Sequence, residues 1–338
     1  MARGDCARRA GKLSAARQTP DSGLHPLLSY WYALSRRALA HRSSPLLPDK
    51  DLADGGTWAH TAWSAQHRRR IPPGCASLPV LPMTATMLAP NLADTDPPLP
   101  IVYQDDHLVA VHKPSGLLVH RSMIDRHETR FAVQTVRNQL GRHVYAVHRL
   151  DKGTSGILLF GLSPEAGRAL SQAFEQQQVD KHYLAVVRGW PAESGEIDYP
   201  LSRQDEDGKP ARDQPAPAQQ ALTRYQRLAT VELPVAVDRY PTSRYALVAL
   251  QPHTGRRHQL RRHLKHISHP IIGDATHGKG RHNRWFAEQF GVSRLLLACT
   301  ALTVPHPVSG APLALRCPPS DDFMQVLAGL GWQGLTLP

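Results

Sequence analysis

One stretch of the chain, HRLDKGTSG at 148–156, places a single acid, Asp151, between Arg149 and Lys152 and ahead of two glycines. The apolar run ILLFG follows, so the acid sits on a tight turn at the mouth of a buried strand. Two uses of such an acid stand level on the residues alone. It serves the turn by accepting backbone N–H groups, or it works as a nucleophile, base or electrostatic stabiliser under the influence of its neighbouring cations. A second constellation, HTGRRHQLRRHLKHI at 253–267, is densely cationic, and no acid occurs anywhere from 239 to 273. Read as a helix capped by Thr254, it carries Leu260, Leu264 and Ile267 as an apolar stripe. Arg257, Arg261 and Lys265 then form one cationic edge beside that stripe. So dense a cluster repels itself unless phosphates or a buried carboxylate answer it. Its histidines lack the spacing and the intervening Glu of a helical zinc site, so no metal is expected. A third candidate is Tyr183 in KHYLAVVRG, where a strand tyrosine either packs or stacks on a base.

The elements that must position these residues begin near Pro100. IVYQ, LVAVHK and GLLVH read as short strands separated by the DD and PSG turns. A helix is expected over 130–140, with Thr129 as cap and Gly141 as stop, and a second from the Ser163-Pro164-Glu165 signal through AGRALSQAFEQQQ. KHYLAVVRG, ATVELPVA, RYALVAL, RLLLACTALTV and PLALRC supply further strands, and DDFMQVLAGLGW a final helix. Polar, Pro-bearing 203–220 reads as a mobile surface loop. Strands and helices without strict alternation imply an α+β fold with a mainly antiparallel sheet.

The 338 residues carry a net charge of +12, of which +5 falls in residues 1–100 and +7 in the rest. That balance favours a polyanionic partner, nucleic acid first. Cys6, Cys75, Cys299 and Cys317 show no C-x-x-C pairing and no disulfide framework, which points to a reducing cytoplasm. No apolar run is long enough for a membrane span. Residues 1–99 lack sustained periodicity and are rich in proline, so they are read as a disordered or spurious extension, with Met83 or Met87 as alternative starts.

HRLDKGTSG, KHYLAVVRG and TGRRHQLRRH, in that order, resemble the three signature motifs of the RluA-type pseudouridine synthases, and HKPSG at 112–116 resembles the family's earlier lysine–proline motif. The resemblance covers about residues 100–335 and implies a pseudouridine synthase fold: a mixed, mainly antiparallel sheet with flanking helices and a central RNA-binding cleft. No pattern like the S4 RNA-binding domain of larger relatives occurs in residues 1–99. The resemblance further implies isomerisation of a uridine in folded RNA without metal or cofactor, by a chain acting as a monomer. Asp151 matches the catalytic carboxylate, Arg261 the basic partner that keeps it ionised, and Tyr183 the residue stacked on the uracil and implicated in removing its C5 proton. Arg149 matches the position entering the RNA where the uridine is extruded; Lys113, Arg256 and His258 are taken as further substrate contacts. The segments LLVHRSMIDR, ATVELPVAVDRYPTSRY and HPIIGDATHGKGRHNRWFAEQFG look most like members that act on uridine 65 of tRNA, with a ribosomal RNA uridine as the alternative. HGKGRHNRWF at 277–286 is the segment expected to touch RNA. A glycoside hydrolase would need a paired second acid, and Asp125, Glu128 and Glu165 sit in no comparable motif. A silent RNA-binding module would have lost Asp151.

A chain beginning near Met87 should therefore be soluble and fully active. Aggregation or lost activity of that shortened protein would make residues 1–95 part of the working domain.

Overall fold

The computed structural model describes residues 97–121, 127–202 and 217–337. The extension expected over 1–99 lies outside the described residues as far as 96, and the surface loop read at 203–220 as far as 216. In chain order the elements are β1 (Ile101–Gln104), β2 (Leu108–Lys113), α1 (Ala132–Leu140), β3 (Tyr145–Ala146), β4 (Ser155–Gly161), α2 (Pro164–Glu175), β5 (Asp180–Arg188), β6 (Ser194–Asp198), β7 (Leu222–Leu233), β8 (Ser243–Pro252), α3 (Gln259–His266), α4 (Gly280–Phe290), β9 (Leu297–Pro305), β10 (Pro312–Arg316) and α5 (Asp321–Gly329).

The strands form one ten-stranded sheet in the order β1-β2-β4-β9-β5-β8-β7-β6, with β3 beside β4 and β10 beside β9. Every pairing of these strands is antiparallel except β4 with β9, which run parallel through Ser155–Ala298 and Gly156–Cys299. The expected α+β fold with a mainly antiparallel mixed sheet is the fold observed. β4 is buried along its whole length, as a continuous apolar run requires. One core gathers β2, β4 and the inner faces of α1 and α2; a second gathers β5, β8 and α3. Tyr183 packs against both. The two cores therefore meet where β5 and β4 flank β9, and Asp151 lies four residues ahead of that junction.

Local signals explain most elements. Ser163 caps α2 by accepting from the Ala166 N–H at 3.1 Å, with Pro164 in the first turn. Gly141 ends α1 in the left-handed region at φ 62°. Three local expectations are corrected. Thr129 does not cap α1, which starts after Phe131 with no side-chain cap. Thr254 does not cap α3. Its hydroxyl bonds the Gln259 side chain at 2.6 Å, and the helix begins after His258. GLLVH is not a strand, although Leu117 and Val119 are buried, because its backbone makes only one isolated bridge, from Leu118 to Phe131.

The parallel junction depends on Gly156. Its φ is +107°, and a Cβ placed there would lie 2.0 Å from the Cys299 carbonyl oxygen. Gly156→Ala should cost about 3 kcal/mol or more, from the forbidden φ together with the forced separation of β4 and β9. Urea unfolding measures this; an unchanged midpoint would show that the junction tolerates a side chain.

Candidate active site

Asp151 occupies a turn braced from outside. The Thr154 N–H donates to its carbonyl at 3.0 Å, the Gly116 N–H to the Lys152 carbonyl at 2.8 Å, and the Ser115 hydroxyl to the Gly153 carbonyl at 2.7 Å. Lys113 completes the brace. It is fully buried, and its ammonium donates to the carbonyls of Leu117 (2.7 Å), Pro114 (2.9 Å) and Lys152 (3.2 Å). Burial pushes Lys113 down to about 7 against the upward pull of Asp151. HKPSG is thus the clamp that fixes the acid's turn. Lys113, taken as a substrate contact, is buried here with its ammonium bonded to carbonyls.

The carboxylate meets its cation through α3. Arg261 Nη1 lies 3.4 Å from Asp151 Oδ2. The guanidinium does not hang there by that contact. Its Nε and Nη2 grip Asp274 in a two-point pair at 2.7 and 2.8 Å. Asp274 is itself sealed from solvent and also accepts the N–H groups of Thr276 (2.9 Å) and His277 (2.8 Å). Burial alone would raise Asp274; the Arg261 hydrogen bonds and charge overcome it and hold the carboxyl below its ordinary range. Gly273, at φ +78°, lets the backbone pass beside the Arg294 carbonyl and delivers Asp274 inward. The expected cationic edge of Arg257, Arg261 and Lys265 is therefore corrected as well. Arg257 precedes the helix, Arg261 is buried, and of the three only Lys265 is exposed on α3.

His258 sits at the start of α3 with φ 53°, a conformation unusual for a residue with a side chain. That backbone brings its Nε2 to 3.9 Å from Asp151 Oδ2 and its Nδ1 to 3.2 Å from His277 Nε2. Burial lowers His258 to about 4, so at neutral pH it meets Asp151 as a neutral ring. Arg261 is then the cation in contact with Asp151 among the described residues. Among the same residues, Asp151 Oδ1 accepts no hydrogen bond.

Two cavities flank the acid. One, of about 420 Å³, is lined by Asp151, Tyr183, Lys181, Arg256, Phe174 and Leu297. The other, of about 590 Å³, includes Arg121, Arg257, Asp274 and Arg294. Arg149, Asp151, His258 and Arg261 line both. Tyr183 is held well above the ordinary phenol range by burial and the adjoining Cys299 thiol, so it carries its proton. Arg149 is exposed, and Arg256 donates through Nε to the Gln220 carbonyl at 3.1 Å. The expected RNA-touching segment 277–286 divides. Phe286 and His282 are buried, Trp285 stacks on Tyr245, and only Lys279, Gly280, Arg281 and Arg284 are exposed.

Asp274 is the main site residue that the motifs did not identify. Removing it leaves a buried guanidinium half-neutralised, so Asp274→Ala should lose about 3–5 kcal/mol in urea unfolding. Because its carboxyl is depressed in the fold, that stability is present above the unfolded carboxylate value, near 4, and is lost as pH falls through the lower folded value. Arg261→Ala should be severe for activity and Arg261→Lys intermediate, since lysine keeps the charge but cannot grip Asp274 at two points. Normal turnover by the alanine form would show that the pair with Asp151 is idle.

A profile of the RNA pseudouridylate synthase family matches residues 107–266. The chain is 53% identical over 239 residues to the tRNA pseudouridine synthase C of Salmonella typhi, covering 70% of this chain and 92% of that protein. It is 48% identical over 236 residues to the protein of the same name in Vibrio cholerae, covering 70% and 97%. Among solved structures, human RNA Pseudouridylate Synthase Domain Containing 4 superposes with a TM-score of 0.52 at 26% identity, over 71% of this chain and 94% of that one. The carboxylate, its buried arginine and the tyrosine that shares its cavity thus stand in a chain that belongs to the RNA pseudouridylate synthase family, the enzymes that make pseudouridine in RNA.

Proposed function

We propose that the protein converts uridine 65 of tRNA to pseudouridine, with Asp151 as the reacting carboxylate. The observation that carries the assignment is the Asp274–Arg261–Asp151 chain. It aims a carboxylate, one oxygen of which accepts no hydrogen bond among the described residues, into a cavity shared with Tyr183. The naming of the curated relatives, tRNA pseudouridine synthase C, supports tRNA as the substrate class.

A target base cannot present C1′ and C5 to one acid while stacked, so the uridine leaves the helix. Arg149, exposed at the rim of both cavities, is placed to occupy the gap. The extruded base enters beside Tyr183, whose ring stacks on it. Asp151 then either bonds C1′ or takes the C2′ proton; both routes need the free oxygen and the fixed turn. The N1–C1′ bond breaks, the uracil turns, C5 bonds C1′ as the Asp151–C1′ bond breaks or as Asp151 returns the proton to C2′, and the C5 proton then leaves. Since Tyr183 keeps its own proton in the resting site, it accepts the C5 proton only as it gives that one up. Half-buried Arg256 and Arg257, with the exposed cations around the cleft, track phosphates, which supports reading of RNA shape rather than sequence. The enzyme works as a monomer in the cytoplasm on this reading.

The test compares pseudouridine maps of tRNA and ribosomal RNA from cells lacking the gene and complemented with wild type or with Asp151→Asn. Position 65 of tRNA should lose pseudouridine in the deletion, regain it with wild type and stay unmodified with the Asn form, while purified Asn protein binds RNA within a few fold of wild type. A site lost only from ribosomal RNA moves the substrate, and turnover by the Asn form removes Asp151 from its role.

A further inference from the structure

Lys181 stands two residues before Tyr183 on β5, so both side chains project from the same face. Both line the 420 Å³ cavity that has Asp151 on its wall. Lys181 is only 9% exposed. Buried lysines are normally paired. Lys113 follows that rule with three carbonyls. Lys181 does not: among the described residues its ammonium has neither a hydrogen bond nor an ion pair. Much of the surrounding wall is apolar, from Val147, Phe174, Leu260 and Leu297. An unpaired cation held in such a place is costly unless a negative partner arrives.

The reaction proposed above generates that partner, and the present argument rests on it. When N1–C1′ breaks, the bonding pair stays with the base. At the sugar, the Asp151 carboxylate bonds C1′, or it takes the C2′ proton while that C–H pair closes a C1′–C2′ double bond. In either case the negative charge passes from Asp151 to the uracil, where it spreads over N1, O2 and O4. We infer that Lys181 holds the detached uracil, its ammonium donating to a ring carbonyl oxygen as the charge arrives there. A lysine suits this task better than an arginine. The ring must turn before C5 faces C1′, and a point charge with rotatable donors on a flexible stem follows a moving oxygen, whereas a planar fork fixes one orientation. The same attraction keeps the free base from leaving the site.

Lys181→Met keeps the length and removes the charge. Its single-turnover rate on tRNA from gene-deleted cells should fall about 10²–10³-fold, the range for losing one preorganised charge stabiliser. RNA affinity should stay within about twofold and thermal stability should not drop, because an unpaired buried charge has been removed. A tRNA transcript with 5-fluorouridine for uridine separates this role from a structural one. Fluorine stabilises the uracil anion by itself, so the Met variant's deficit in glycosidic cleavage should shrink at least about tenfold. Burial lowers Lys181, so wild-type cleavage should fall more steeply with rising pH than that of the Met variant, which keeps only the fall set by Lys113 at about 7. The groups facing Lys181 are Asp180 on its own strand, Cys299 on β9 and His148 on the loop before Asp151. Burial holds Cys299 at about 12 and His148 at about 3, so neither supplies the limb. A Met variant as fast as an active wild type, an equal deficit on both substrates, a limb as steep as that of wild type, or a loss confined to RNA binding each overturns the role. A wild type that forms no pseudouridine overturns the functional reading and this role with it.

Discussion

One guanidinium, buried and shared between two acids, organises the site. Arg261 gives two donors to Asp274 and directs a third at Asp151. The two contacts differ in kind. The pair with Asp274 is short, doubly bonded and sealed from solvent, while the contact with Asp151 is 3.4 Å and leaves that side chain 22% exposed. A buried ion pair contributes little net stability, because desolvation offsets the attraction. Here its value lies in placement. Asp274 neutralises Arg261 enough to bury it, and it takes over the orienting hydrogen bonds, so Asp151 need not be the anchor. An acid that had to hold the arginine by itself would have both oxygens engaged. This one keeps Oδ1 free of hydrogen bonds among the described residues.

The acid's own backbone is fixed from the opposite side by a separate device. Four contacts from residues 113–116 reach the Asp151 turn or the backbone next to it: the Lys113 ammonium, the Ser115 hydroxyl and the Gly116 N–H on turn carbonyls, and the Lys113 backbone paired with Gly156. Gly156 admits β9, and Leu295 packs against Gly153. The turn is therefore held by β2 on one flank and β9 on the other, while the arginine arrives on α3 from the second core. The carboxylate stands where the two antiparallel halves of the sheet join, and a shift of either half changes its distance to Arg261.

Much of this was legible in the chain. The buried run ILLFG, the Ser163 cap and the Gly141 stop depend on short-range chemistry and lie where the residues place them. β6 was not legible, because Ser194–Asp198 is a half-exposed edge strand with one buried side chain. The beginning of β7 was obscured in the same way, its charged and exposed residues breaking the alternation. The failures around 253–267 have one cause: a helical stripe shows which side chains share a face but not where the helix starts. Gln259, buried and bonded to Thr254, Arg256, Leu222 and Thr223, pins the preceding loop and delays the helix. The partner of Arg261 did leave a trace. The acid-free span from 239 to 273 called for a carboxylate in answer, and the next residue is Asp274.

The cations of the site divide by burial, and the division separates binding from chemistry. Arg149 and Lys265 are exposed, so their attraction for phosphate works through water and salt screens it beyond about 8–10 Å. Arg261, Lys113 and Lys181 are buried, and screening hardly reaches them. On the proposed function, the first group draws RNA by charge alone, without reading its sequence. The second lies inside: one cation aims the acid, one clamps its turn, and one, Lys181, lines the cavity without an ion pair among the described residues. Net positive charge alone would have predicted an RNA binder. What makes the chain an enzyme is that its few buried cations are each assigned to one acid, one set of carbonyls or one empty space of the right size.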